Sequence, residues 1–555
     1  MKKVLSIILV LSLVVSMVTI IPAMAADDVI STVKLAGTSV NPSDPVNIIL
    51  TDKTTSKIKY LNQVKPDEDG SWRLNFQVEG TLGDYNLLFR QNNTVTSEIG
   101  PEFIASITSG MEINLSAIVA ARTVVANLNV KNPDLENTYC NVIIAAYDEN
   151  GNLINSISPK VDIDEETIAE EITHNLPDNA KYAKVFCWYN FIEPLTKAQK
   201  AEPMTKYIEN RGSVGNVFAK LNNDENVNIV YLGGSVTVGT GLPDFTYYGT
   251  KSWRGLTMEW FKSKYPGQVN FYNSAVGGTG SFFGAVRTAK DVLSYNPDLV
   301  FIMYPINDVY DGMTKEETQR QMEDIICQIR EADADTDIIM GYDTDKYKGA
   351  TEGNYDMVTW QEEVAEAYDI SIINMGLRLA DYVRDTGTDW SALLSDQVHP
   401  NEAGYRLYAD VALSFLEEAR LDAPDAVSDY VLPAQRIYGT AMNPYLVKAA
   451  DKFISGEDTQ NNYNSLYSDK YVLAAGDTFT FDISGDSVGI VVKQIYAYDI
   501  DLSYDIDGSK GTTDVGNKQI IKLMENCGNE NHTVTITNDS TTNIEILAAF
   551  TYDAD

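Results

Sequence analysis

At 555 residues the chain is too long for one hydrophobic core, and at about 100 to 200 residues per domain it should divide into three to five units. The formal net charge of -37 excludes a nucleic acid as partner and repels anionic surfaces, so a neutral substrate fits better than an acidic one. Four cysteines, Cys140, Cys187, Cys327 and Cys527, are too few and too scattered for a disulfide framework or a metal site. Cys140 and Cys187 lie close enough in sequence to share a domain, as one bridge or as two buried thiols.

The chain opens with Met1-Lys2-Lys3, an apolar run over residues 4–21, Pro22 and the small-residue site Ala23-Met24-Ala25. Charge, apolar stretch and cleavage site predict a secretory signal peptide over residues 1–25, cut near Ala25, and hence a secreted protein. The rival is an uncleaved anchor, since the run is about long enough to span a bilayer. No cysteine follows the site, which argues against lipoprotein attachment, and no later segment is apolar enough for stable membrane insertion.

Residues 26–105 show short alternating runs, such as Trp72, Leu74, Phe76 and Val78, broken by Gly80 and Gly83. The same pattern recurs over residues 106–200, where Val124, Ala126, Leu128 and Val130 alternate and residues 148–151 read as a hairpin turn after 142–147. Both segments are expected as small β-sandwiches of immunoglobulin-like character. Within residues 201–425 the texture changes. Apolar runs at 227–232, 269–272, 299–304, 337–340 and 370–373 read as buried strands. Between them Trp253, Leu256, Trp260 and Phe261 share one helical face, and Thr314 with Glu317 makes a capping box. Alternation of this kind predicts a doubly wound α/β domain with a parallel sheet. A last helix should start at Asn401, a good N-cap, and run to about residue 418. Residues 426–555 return to β texture and predict a C-terminal β-sandwich, an accessory domain. Its tyrosines, Tyr463, Tyr467, Tyr471, Tyr496 and Tyr498 among them, fit either sheet packing or stacking on sugar rings. Asp505-Ile506-Asp507-Gly508 hints at a calcium loop but lacks that motif's other ligands, which favours a hairpin turn.

The first strand of the α/β segment runs into Gly233-Gly234-Ser235, placing a serine beyond its carboxyl end, where ligand crevices form. Alone, such a sequence is usually a tight turn. The second strand leads into residues 273–280, whose Gly277, Gly278 and Gly280 free backbone N–H groups to face an anion. A phosphate loop is the rival, but no Gly-Lys-Ser/Thr follows. The third strand ends before Pro305-Ile306-Asn307-Asp308, where the Asn307 amide could donate to the same point. Just before the last helix comes Asp396-Gln397-Val398-His399. His399 is the one histidine of this domain, and an aspartate three residues earlier can orient its ring and stabilise the imidazolium. His174 and His532 read as structural. Trp253 and Arg254 fit either a crevice mouth or the helix core.

In this order the four signals resemble the SGNH (GDSL-like) hydrolase family over residues of about 224–420. The resemblance implies a flavodoxin-like α/β catalytic domain with Ser235 as nucleophile, His399 as base and Asp396 as its partner. It implies an oxyanion hole from the backbone of Ser235 and Gly278 with the Asn307 side chain. Two departures stand out: Gly234 replaces the family's aspartate, and Pro305 replaces the glycine before x-Asn-Asp. The chemistry needs no cofactor, and no His or Cys cluster suggests a metal. With its flanking β modules the chain resembles the secreted carbohydrate esterases of that family, and the resemblance implies a serine esterase that removes O-acetyl groups from polysaccharide. The alternatives are a lipase or phospholipase, for which no amphipathic lid is evident, and a non-catalytic cell-surface glycan-binding protein.

Overall fold

The computed structural model describes residues 30–553 except 39–44, 55–56, 69–70, 80–84, 92–93, 96–111, 133–137, 190–192, 195–197, 244–248, 352–354, 435, 439–441 and 449–469. Residues 1–25, expected as a signal peptide, lie outside the described residues, as do Tyr463 and Tyr467. The chain divides into two units, Met1–Met204 and Thr205–Asp555.

In the first unit, alternation sets the layers. Strands Thr138–Tyr147 and Tyr182–Tyr189 pair antiparallel in a middle sheet, with Val142 opposite Cys187. Cys140, Val142, Ile144, Val185 and Cys187 pack on one face with Val124, Ala126 and Leu128. Ile143, Ala145, Tyr147, Phe186 and Trp188 pack on the other with Ile48, Leu50 and Tyr60. Residues 142–147 are therefore apolar throughout, because both faces of this sheet are covered. The middle sheet is thus common to two separate apolar cores, one on each of its faces. The hairpin turn at 148–151 is present: Asp148 Oδ1 accepts from the backbone N–H of Asn150 and Asn152, and Gly151 takes a φ of 79°. Cys140 and Cys187 are free thiols, both buried.

The second unit is built on a six-stranded sheet. Its strands are β1 (Ile208–Glu209), β2 (Val227–Gly233), β3 (Val269–Ala275), β4 (Leu299–Met303), β5 (Asp337–Tyr342) and β6 (Ser371–Asn374). The order is β1-β6-β5-β4-β2-β3, parallel except for β1, so all five expected strands are present, but β3 lies at the sheet edge and residues 269–272, expected buried, are partly exposed. β4 and β5 are buried at every position, which is why they read as unbroken apolar runs. The chain steps from β2 to β3 on one side and then crosses to β4 on the other, giving the flavodoxin-like strand order with its switch point between β2 and β4.

Among the described residues ten α-helices flank or cap this sheet: α1 (Asn216–Asn222), α2 (Ser235–Val238), α3 (Trp253–Lys264), α4 (Ser281–Asp291), α5 (Pro305–Asp311), α6 (Lys315–Ala332), α7 (Lys346–Thr351), α8 (Asp356–Ala367), α9 (Met375–Thr386) and α10 (Glu402–Leu421). Thr314 and Glu317 form the capping box of α6. Asn401 caps α10 by accepting from the N–H of Ala403 and Gly404. Among the described residues no helix is long and apolar enough to cross a membrane.

After α10 an extended strap returns across the α/β domain. The Tyr430 hydroxyl donates to Asp337, Arg436 pairs with Asp324 and Glu331, and Met442 N–H donates to Asp324. Two antiparallel sheets follow and enclose a core that includes Ile490, Leu502, Val534 and Ile546. The outer face of the first, with Leu547, Phe550 and Tyr552, packs into the core cluster of the α/β domain. Phe282 of α4 meets Phe550 and Tyr552 edge-on, with ring centres 5.8 and 5.0 Å away. The C-terminal sandwich and the α/β domain therefore share apolar core. Asp507 and Gly508 take φ of 51° and 92° between paired Ile506 and Ser509, the two-residue hairpin turn expected there.

Candidate active site

The switch point sets the site. β2 delivers Gly233 and Gly234, and the chain then turns into α2 with Ser235 as its first residue. On the opposite side, residues 393–401 fold back on themselves: Ser395 N–H donates to His399 C=O and Asn401 N–H to Leu393 C=O. That loop presents His399 to the serine.

His399 Nε2 lies 2.8 Å from Ser235 Oγ, and Nδ1 lies 2.7 Å from Asp396 Oδ2. The second Asp396 oxygen accepts from the backbone N–H of Val398 and His399, at 2.7 and 2.8 Å. Burial alone would raise the Asp396 carboxyl, but the hydrogen bonds from His399 and Val398 hold it below the usual carboxylate range. Asp396 is therefore anionic at neutral pH, and with its oxygens engaged on both sides it fixes the ring's orientation.

Asn307 sits in the first turn of α5, and its side chain lies directly against Gly234. A Cβ built on Gly234 would fall 2.1 Å from Asn307 Oδ1. Gly278 lies in the loop after β3, which is tied to β2 by Val276 N–H donating to Gly233 C=O at 2.9 Å. Gly278 takes a φ of 73°, a left-handed conformation that glycine adopts without strain. The five residues singled out from sequence thus occupy the ends of β2, β3 and β4 and the loop before α10, around one switch point.

Residues 231–407 match the model of the GDSL-like Lipase/Acylhydrolase family. Over these residues the α/β domain is similar to that family. The chain is thus a carboxylic ester hydrolase with β-rich regions on either side of its hydrolase domain. Among solved structures, a two-domain esterase active on acetylated mannans matches with 20% identity, covering 63% of this chain and 99% of that one, at a TM-score of 0.53. The same kind of esterase co-crystallised with mannopentaose matches with 19% identity over 63% and 98%, at a TM-score of 0.52. The comparison with curated proteins returns no match.

Both departures of this hydrolase from the family pattern have a local cause. At 234 any side chain would overlap the Asn307 amide. At 305 proline is the first residue of α5, where the backbone N–H would have no partner in the helix.

Several neighbours of the site carry no sequence motif. Arg254, buried in α3, donates to the C=O groups of Thr237 and Val238 at the end of α2. Asp308, fully buried, accepts from Ser281 N–H at 2.7 Å and from the Thr318 hydroxyl and the Gln361 amide at 2.8 Å. It therefore ties the helix bearing Asn307 to the chain that leaves the Gly278 loop. Burial pushes the Asp308 carboxyl up to about 7 against the pull of those hydrogen bonds. Asp343, likewise buried, accepts from Ile306 N–H at 3.1 Å. The Gln519 side chain, from the C-terminal sandwich, reaches Gly278: its Nε2 would lie 3.0 Å from a Cβ placed there. A contact between residues 241 apart in sequence leaves no local pattern to read.

Proposed function

We propose that this chain is an exported serine esterase that removes acetyl groups from polysaccharide through an acyl-enzyme on Ser235. The observation that carries the reading is the hydrogen-bonded row Ser235 Oγ, His399 Nε2, His399 Nδ1 and Asp396 Oδ2, with separations of 2.8 and 2.7 Å. His399 takes the hydroxyl proton as Ser235 attacks the ester carbonyl, and Asp396 stabilises the imidazolium that forms. The backbone N–H groups of Ser235 and Gly278 and the Asn307 amide hold the oxyanion. Return of the proton from His399 releases the sugar alcohol. Water, deprotonated by the same imidazole, then releases acetate and restores Ser235.

Two observations support the polysaccharide substrate. The neighbours with a comparable fold across 63% of the chain act on acetylated mannans, and the acidity of the chain favours a neutral substrate. Export rests on the charged start, apolar run and small-residue cleavage site of residues 1–25. The test is acetate release from acetylated mannan and xylan beside hydrolysis of long-chain acyl esters. The account expects turnover of the acetylated glycans and little of the long-chain esters. The reverse preference would move the assignment to a lipase, and glycan binding without hydrolysis of any ester would make the chain a binding protein.

A further inference from the structure

Two tyrosines stand out beside the triad because their rings are held in place yet left open to solvent. Tyr310 and Tyr347 are 59% and 56% exposed, in a domain whose other large aromatics are mostly packed away. Neither is loose. The Tyr310 hydroxyl donates at 2.7 Å to Asp345, which is itself buried, and the Tyr347 hydroxyl donates at 2.6 Å to Gln397 Oε1. A phenol anchored through its oxygen keeps its orientation while more than half of the residue stays exposed.

Their placement ties both to the reacting groups. Tyr310 lies one helical turn beyond Asn307 on α5, so the element that carries the amide also carries this ring. Tyr347 lies on α7, whose first residue, Lys346, donates its N–H at 2.8 Å to Gln397 C=O. Gln397 sits between Asp396 and His399, so α7 is moored to the triad loop by a main-chain and a side-chain bond. Tyr347 and Asp396 both lie near enough to the Tyr310 hydroxyl to act on it electrostatically. Burial of the Tyr310 oxygen, with Asp345, Tyr347 and Asp396 around it, raises that hydroxyl and keeps it a neutral donor.

We propose that Tyr310 and Tyr347 form a sugar-binding subsite on the Asp396 side of the Ser235 site, stacking on pyranose rings of the polysaccharide that carries the acetyl group. The inference rests on the polysaccharide-esterase reading and adds to it the residues that select a sugar over a simple alcohol. The C–H faces of a pyranose are apolar and complementary to an aromatic face, whereas an acetyl group alone is too small to use it. Rigid rings stack with little further loss of conformational freedom. Continuity with the triad commits the surface to substrate rather than to a protein partner.

The test compares Tyr310→Ala, Tyr347→Ala and the matching Phe variants on acetylated manno-oligosaccharide and on 4-nitrophenyl acetate, which has no sugar. Each Ala variant should lose about tenfold more kcat/KM on the oligosaccharide than on the aryl ester, mainly through KM. Each Phe variant, which keeps the ring, should stay within about threefold of wild type on the oligosaccharide. Equal losses on both substrates would assign the tyrosines to support of the triad loop and overturn the proposal, as would Ala variants with wild-type activity on the oligosaccharide. A wild-type protein that hydrolyses the aryl ester but no acetylated glycan would instead overturn the substrate reading on which the proposal rests.

Discussion

Gly234→Ala is the smallest change that tests how the oxyanion pocket is assembled. Gly234 has φ of -94° and ψ of -156°, an extended conformation that alanine adopts, so the new methyl brings no backbone strain. What it meets is Asn307: the added carbon would fall 2.1 Å from Oδ1 and 2.8 Å from Cγ, where real contacts essentially never fall below 3.0 Å. The amide must retreat by about 1 Å, enough to take its N–H out of hydrogen-bond reach of a developing oxyanion. Loss of one such donor costs about a hundredfold to a thousandfold in kcat. Asn307→Ala should cost the same, and the double variant should be no worse than Asn307→Ala alone, because the collision partner is then gone. The assay is steady-state hydrolysis of 4-nitrophenyl acetate by the four proteins, with thermal melting to establish that each is folded. A Gly234→Ala enzyme with undiminished kcat, or penalties that multiply in the double variant, would show that Gly234 does not set the position of the Asn307 amide.

Asp396→Asn should leave the fold intact but lower kcat by about a thousandfold to ten-thousandfold, since an amide presents the wrong partner to His399 Nδ1; activity near wild type would remove Asp396 from the mechanism. Asp308→Asn turns an NH2 toward donors that now face a carboxylate, so urea unfolding should show a loss of about 1–3 kcal/mol together with a lower kcat, whereas wild-type stability would contradict the bridging role of Asp308. In the C-terminal sandwich, His532 Nδ1 lies 2.6 Å from Asp507, and Nε2 faces the C=O groups of Gly485 and Gly528. Burial opposes the charged ring, but Asp507 and the two carbonyls outweigh it and raise His532 above its ordinary value. Its contribution is therefore fully present below about pH 6.5 and is lost as pH rises through the raised value. Melting temperature followed from pH 5 to 9 should fall more steeply for wild type than for His532→Gln, and parallel curves would contradict this.

The α/β domain was legible because its physics is local. Buried parallel strands read as apolar runs, the capping box of α6 and the Asn401 cap are short-range signals, and Ser235, Asn307 and His399 each sit at a strand end or helix start where such groups collect. The shared sheet of the first unit and the shared core of the second were not legible. Apolar positions 142–147 look the same in a sheet covered on one face or two until the second layer is seen, and Phe550 and Tyr552 carry no mark that Phe282 is their partner. Gly234 is instructive in the opposite sense: from sequence it is a deviation from a motif, and its cause is the side chain of a residue 73 positions away. Tyr310 and Tyr347 escaped notice because exposure combined with a tethered hydroxyl cannot be read from one dimension.

Formation of the acyl-enzyme on Ser235 is tested by hydrolysis of an acetyl ester panel by Ser235→Ala beside wild type, both folded by circular dichroism. The variant should lose at least about ten-thousandfold in kcat on every ester that wild type turns over, leaving only the residual rate that binding and the oxyanion donors supply. Undiminished hydrolysis by folded Ser235→Ala would contradict an acyl-enzyme on Ser235.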